Sequence, residues 1–265
     1  MTPYRTFRFY AASALGRVFP TLRFGTHYGF PIGGNTRDMV SRYIFTFGYW
    51  EPNLSEFLAS RITPQTKFYD LGTNIGYFSL LAASRGADVV GFEASPQMAA
   101  TAKANLEKAG LRGMIHNVAL AAEVGELTLY DRSGPTNTGS RTINKPENAV
   151  IHAKVPAAPL RNLVELDPKA DNVFKIDIEG AEGPVLDELA DWLLTHPEAT
   201  ATIVVELLEE EESILERFKA ARCEVAFLRN DYSRDAYLEK PNGFELTKAD
   251  EPRPAHPYET VFIRG

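Results

Sequence analysis

The chain has 265 residues, 44% of them hydrophobic and 24% charged, with a net charge of −7. This is ordinary globular usage, so a sizeable core is expected and wholesale disorder is excluded. The single cysteine, Cys223, excludes an intrachain disulfide and a cysteine-built zinc site, and the acidic balance offers a nucleic-acid backbone no global attraction.

Residues 1–60 carry six arginines (Arg5, Arg8, Arg17, Arg23, Arg37, Arg42) against Asp38, Glu51 and Glu56, a net +3, so the rest of the chain holds −10. This lead-in reads as an N-terminal helical or loop extension, with the main domain at 61–265. Its arginines either form a solvated face or touch an anionic substrate or membrane surface. The apolar stretch Phe9–Leu15 is short and is followed at once by Arg17 and Pro20, so export is not expected and a cytoplasmic address is. No apolar run approaches the roughly 18–20 residues that cross a membrane.

From Lys67 onward short β-type runs alternate with helical patterns. Phe68–Leu71 reads as a buried strand and Tyr77–Arg85 as the helix after it. Asp88–Glu93 is the next strand. Pro96 suits a helix's first turn, and Gly110 stops the helix that runs through Met98–Ala109. Met114–Leu120 reads as a third strand. The interval 128–158, rich in Gly, Ser, Thr, Asn and Pro, reads as a loop with at most a small hairpin, a lid over a site. Asn172–Ile178 is a fourth strand, Pro184–Leu194 a helix and Thr202–Leu207 a fifth strand. The acidic run Glu209–Glu212 opens a helix, where the macrodipole favours negative charge. Cys223–Leu228 and Glu259–Arg264 are late strands joined by a proline-rich loop.

Alternating strands and helices predict an α/β fold with helices on both faces of a mostly parallel sheet. A last strand that returns without a crossover helix pairs antiparallel, which favours a class I methyltransferase Rossmann-like sheet over a plain dinucleotide fold.

The segment Phe68–Leu80 carries the first chemical signal. A buried strand ends in Asp70, and Gly72 and Gly76 bracket a tight turn into a helix, where glycine permits close backbone approach. Glu93, at the end of the next strand, is placed to accept bonds from ribose hydroxyls. A dinucleotide fingerprint needs a glycine two residues after Gly72, and Asn74 stands there instead. Asp70 would also repel a pyrophosphate in a partly buried site. S-adenosylmethionine has no phosphate and carries an ammonium and a sulfonium, so spacing and charge both favour it.

The second signal is Phe174–Leu186. Strand alternation places Lys175, Asp177 and Glu179 on one side, at the carboxyl edge where open α/β sheets bind ligands. Carboxylates crowded there with Glu182 suit proton transfer. Asp177 and Glu179 are the candidate bases. A metal held by Asp177, Glu179 and Glu206 is conceivable, but substrate hydroxyls suit these acids equally, and no metal is assigned. Trp50 and Tyr49 either cover a sulfonium by cation–π attraction or pack the lead-in onto the domain. His152, in the lid, is the one histidine worth watching as a base.

With these residues the chain resembles the FkbM-type S-adenosylmethionine-dependent methyltransferases. The matching pieces are Tyr69–Leu80, Gly91–Pro96, Asn117–Leu120, Lys175–Glu182 and Val204–Leu207, with a similar lead-in at Phe47–Leu54. The resemblance implies O-methyl transfer to a hydroxyl of a sugar, glycan or natural product. It implies that Asp70, Gly72, Asn74 and Gly76 line the methionine side, that Glu93 holds the ribose, that Asn117 and Ala119 border the adenine, and that Asp177 lies near the methyl. Departures from the family pattern fall at Leu160–Asn162, at Thr73 and beside Glu206, where relatives often carry a histidine. A nicotinamide-dependent oxidoreductase and a non-catalytic cofactor-binding module are the alternatives.

Overall fold

The computed structural model describes residues 3–19, 21–131, 141–142, 150–178, 180–207, 212–233, 237, 243–252 and 257–265. The lead-in forms α1 (Pro3–Val18), β1 (Leu22–Gly25), β2 (Pro31–Gly34), α2 (Met39–Phe47) and α3 (Pro52–Arg61). Next come β3 (Thr66–Leu71), α4 (Tyr77–Ser84), β4 (Asp88–Phe92), α5 (Pro96–Ala109), β5 (Met114–His116), β6 (Ala119–Leu120), β7 (Gly125–Asp131), β8 (Arg141–Thr142) and β9 (Val150–Ala158). The remaining elements are β10 (Asp171–Ile176), α6 (Glu182–Thr195), β11 (Thr200–Val205), α7 (Glu212–Ala220), β12 (Glu224–Arg229), β13 (Leu246–Lys248) and β14 (Tyr258–Arg264).

The central sheet runs β13-β12-β14-β11-β10-β3-β4-β5. β3, β4, β5, β10 and β11 pair in parallel, and β14 runs antiparallel to both β11 and β12. The chain starts in the middle at β3, steps outward to β5, and returns to β10 on the other side of β3. The switch point therefore lies between β3 and β10, and ligands of open α/β sheets bind outside the strand ends at such a point.

Successive strand residues feed opposite cores, as a period of two requires. Phe68, Val173, Val204 and Val261 face α3, α4, α5 and the lead-in. Their neighbours Tyr69, Phe174, Ile203 and Phe262 face α6 and α7. Burial on both faces is why these strands read as near-continuous apolar runs. Phe24, Ile32, Ile44, Phe57 and Leu58 of residues 1–60 sit in the same core as Leu80 and Leu81 of α4. Asn105 of α5 reinforces this docking: it accepts from the Gly33 amide at 2.8 Å and donates to the Gly33 carbonyl at 2.9 Å.

Local chemistry sets the helix ends. Ser95 caps α5 by accepting from the Met98 amide, Pro96 takes the first helical position, and Gly110 ends the helix at a φ of 69°.

Three expectations need correction. Met114–Leu120 is two strands, because Asn117 turns its side chain back to the carbonyls of Glu93 and Ala94 and ends β5. The interval 128–158 is no plain loop: β7 and β9 pair antiparallel within a second sheet of order β6-β9-β7-β8. Its small core of Ala119, Leu129, Val155 and Ala157 needs only short apolar side chains, so the hydrophobic signal in the sequence is weak. Finally, β10 stops at Ile176, and Asp177 lies beyond the strand. Residues 132–140 and 143–149 of the expected lid, and Glu209–Glu211 of the acidic run, lie outside the described residues. Among the described residues no helix is long and apolar enough to cross a membrane.

Candidate active site

Asp70 and Lys175 are register partners on β3 and β10, on either side of the switch point. Asp70 is 1% exposed. Its Oδ2 accepts from Ser79 Oγ at 2.6 Å, while its Oδ1 is buried with no hydrogen-bond partner among the described residues. Burial pushes its pKa up, against the pull of Lys175 and the Ser79 hydroxyl.

The turn after β3 is held by the end of β4. The amides of Gly72 and Thr73 both donate to the Phe92 carbonyl, at 2.9 and 3.1 Å. Gly72 has a φ of 89°, and a Cβ there would come 1.8 Å from the backbone oxygen of Asp177. The close approach expected at Gly72 is therefore met first by the protein itself: glycine lets the β3 turn and the end of β10 cross. Gly76 has a φ of 89° at the start of α4, and a Cβ on it would meet Ala102 of α5 at 3.1 Å.

Asn74 adopts the left-handed conformation at a φ of 53°. Its amide donates to Glu93 Oε2 at 2.7 Å, and its side-chain oxygen is buried without a partner among the described residues. Glu93 Oε1 accepts from the Ser95 amide at 2.8 Å. Glu93 thus ties the glycine turn to the start of α5. Asn117 donates to the Glu93 carbonyl at 2.9 Å, and Ala119 is buried in the cluster against which Ala94 packs. Asp70, Gly72, Asn74, Gly76, Glu93, Asn117 and Ala119 thus lie along one connected strip of the edge.

On the other side of the switch point, Lys175 is 5% exposed and donates to Asp177 Oδ2 at 2.9 Å. Burial alone would lower its pKa, but the carboxylates of Asp177, Asp70 and Glu51 outweigh it and hold the lysine above its ordinary value. Asp177 is locked in that ion pair, with 45% of its side chain exposed. One residue past β10, it lies on the same side as Lys175, as alternation implied, and its amide donates to the Leu71 carbonyl of β3 at 2.8 Å. Glu179 lies outside the described residues.

The structure adds groups the sequence did not single out. Glu51 and Glu259 are each 5% exposed at this edge, with Asn230 and Tyr232 between them. Glu259 is the second residue of β14, and Asn230 follows β12 directly. Asn230, like Asp177, stands just past a strand's carboxyl end. Trp50 and Tyr49 are buried in a ring cluster with Tyr43, Tyr232 and Tyr237, so their role is packing. His152 lies within β9 of the second sheet. Among the described residues no group of three His, Cys, Asp or Glu is disposed to hold a metal ion.

The antiparallel β14, the glycine turn at the switch point and acids at the carboxyl ends of β3, β4, β10 and β11 define a class I methyltransferase fold. A model of the FkbM methyltransferase domain matches residues 70–230, more than half of the chain, and the chain belongs to that family. It is therefore a methyltransferase by family. No curated protein matches it. Similar solved structures include a tRNA methyltransferase from Aquifex aeolicus, 12% identical with a TM-score of 0.42, over 82% of this chain and 69% of that one. A precorrin-6y C5,15-methyltransferase from Geobacter metallireducens is 12% identical with a TM-score of 0.42, over 80% and 87%. An O-methyltransferase from Bacillus cereus, in complex with S-adenosylhomocysteine, is 13% identical with a TM-score of 0.41, over 82% and 83%.

Proposed function

We propose that this chain transfers a methyl group from S-adenosylmethionine to a hydroxyl of a sugar, glycan or natural-product acceptor. One observation carries the choice of cofactor: Asp70 Oδ1, near the end of β3, and Asn74 Oδ1, in the glycine turn, are buried acceptors without partners among the described residues. Buried polar atoms call for a partner, and a carboxyl oxygen with an amide oxygen suits an ammonium and opposes a phosphate. When bound, the cofactor supplies an electrophilic methyl and its own leaving group.

The chain's residues do the rest. Asp70, Gly72, Asn74 and Gly76 hold the methionine end. Glu93 holds the ribose, and Asn117 and Ala119 border the base. Asp177, fixed by Lys175, orients the acceptor at the carboxyl edge, and such positioning supplies much of the rate in a displacement of this kind. Residues 1–60 contribute α2, α3 and Glu51 to the acceptor side.

The test is a screen of sugars, glycosides, polyketide alcohols and lipids for acceptor-dependent release of S-adenosylhomocysteine, with the new methyl located by mass spectrometry. The expected product carries it on oxygen. Products methylated on nitrogen or carbon alone would overturn the hydroxyl assignment.

A further inference from the structure

Glu51 is placed in an unusual way. Among the described residues three non-glycine residues have positive φ, and Glu51 is one of them, at a φ of 45° and a ψ of 76°. Such strain persists where the surroundings over-determine it, and it concentrates at functional sites. Glu51 stands at the N-cap of α3, yet its side chain caps nothing there. Oε1 instead accepts from the Tyr232 hydroxyl at 2.8 Å, while the Glu51 amide donates to the Tyr237 hydroxyl at 3.0 Å.

The hydrogen bonds continue past Tyr232. Asn230 Nδ2 donates to the Tyr232 oxygen at 3.1 Å and to Glu259 Oε1 at 3.0 Å, which uses both of its hydrogens. Two buried glutamates from distant parts of the chain are thus joined through a tyrosine and an asparagine. The Asn230 side-chain oxygen is buried and has no partner among the described residues. It is an acceptor awaiting a donor such as an alcohol.

We propose that Glu51 receives the acceptor hydroxyl's proton, and that Tyr232, Asn230 and Glu259 are the positioning residues that hold it for that task. This rests on the methyl-transfer reading above. The acceptor's O–H bond breaks and its proton goes to a Glu51 oxygen. The electron pair left on the acceptor oxygen makes the new bond to the methyl carbon, and the pair of the broken carbon–sulfur bond stays on sulfur. The proton leaves Glu51 to solvent with the product.

The electrostatics agree with the geometry. Burial raises the Glu51 carboxyl to about 7, with Lys175 pulling down, Asp177 pushing up, the Tyr232 hydrogen bond pulling down and Glu206 pushing up. Tyr77, Tyr237 and Glu259 also feel its charge. A base works best when its pKa lies near the working pH. Burial, then Glu51 and Glu206, push Glu259 well above the ordinary carboxylate range. Asp177 is instead half exposed and held in the ion pair with Lys175.

The test uses the full chain as wild type, Glu51→Gln, Glu51→Asp and Tyr232→Phe, with an alcohol acceptor from the screen. Wild-type turnover should show an acid limb near pH 7. Glu51→Gln should lose roughly 100-fold or more in turnover and lose the limb. Glu51→Asp should keep the limb with reduced turnover. Tyr232→Phe should move the limb to higher pH, because a donor to the carboxylate is gone. Calorimetry should find S-adenosylhomocysteine affinity within about threefold in every variant, a change too small to mark a cofactor ligand. Infrared difference titration needs no acceptor. A carboxyl band titrating near pH 7 should be present in wild type and missing from Glu51→Gln. Turnover of Glu51→Gln within about threefold of wild type with the same limb, or a neutral-range band that survives in it, overturns the proposal. Failure of wild type to bind S-adenosylhomocysteine would instead overturn the cofactor reading, and the infrared arm would still report on Glu51.

Discussion

The two halves of the carboxyl edge are built differently. The cofactor half is one continuous stretch, β3 to α4, closed against the end of β4 by backbone amides and by Glu93. Asp70 Oδ1 and Asn74 Oδ1 are buried there without partners among the described residues. The acceptor half draws Glu51, Lys175, Asp177, Asn230, Tyr232 and Glu259 from widely separated segments and joins them by side-chain hydrogen bonds and an ion pair. The difference teaches that a site made of backbone turns is encoded locally, whereas a site made of side chains at successive strand ends is encoded by topology. It also separates their failure modes. Breaking the first half should cost folding and cofactor affinity; breaking the second should cost turnover.

The largest expected effect is at the junction of the halves. Gly72→Ala places a Cβ on the Asp177 backbone oxygen and forces an L side chain to a φ of 89°. Strain and clash together should cost about 2–5 kcal/mol. Denaturant unfolding should show the loss, and cofactor affinity should fall with it. Native stability in this variant would mean the two strand ends do not cross as described.

Next is Glu93→Ala. Losing charge-assisted hydrogen bonds to a ribose costs roughly 1.5–3 kcal/mol, one to two decades in affinity. Because the same carboxylate holds the Asn74 and Ser95 amides, the melting temperature should fall as well. An unchanged dissociation constant in a folded variant would remove Glu93 from the site.

Asp177→Asn sharpens the comparison from the other side. It keeps the shape and removes the charge paired with Lys175. An orienting role predicts roughly a tenfold loss of turnover, less than that of Glu51→Gln, with little change in cofactor affinity. A greater loss in the Asp177 variant than in the Glu51 variant would return the proton-accepting role to Asp177.

The smallest effect is a pH dependence of stability. A carboxyl whose folded pKa lies above its unfolded value binds its proton more tightly when folded. Its stabilising contribution is therefore complete below 4.5 and is lost as pH rises through about 7. Glu51→Gln escapes that loss, so its melting temperature relative to wild type should rise by several degrees between pH 5 and 8. A constant difference across that range would show that Glu51 is not a buried, titrating group.

Much of the fold was legible because strands buried on both faces are short apolar runs bounded by acids, glycines and prolines. The turn at Gly72 and the cap at Gly110 stood out for the same reason: left-handed backbone selects glycine. The second sheet was not legible, since its core is mostly alanine and valine and Pro156 interrupts β9. Within the site, Asp70 and Glu93 were found because each ends or follows an apolar strand. Glu259 was missed because it begins a strand, and only the antiparallel direction of β14 brings a strand's start to the carboxyl edge. Asp177 was found because alternation from Lys175 places it at the carboxyl end of β10, where the two side chains pair.

The most direct measurement is calorimetric titration of the full chain with S-adenosylhomocysteine and, separately, with a nicotinamide dinucleotide, repeated on Asp70→Asn. Removing the charge from the buried carboxylate should weaken S-adenosylhomocysteine binding by roughly one to two decades, and the dinucleotide should not bind. Binding of the dinucleotide without S-adenosylhomocysteine, or an Asp70→Asn variant that binds S-adenosylhomocysteine as wild type does, would contradict the account.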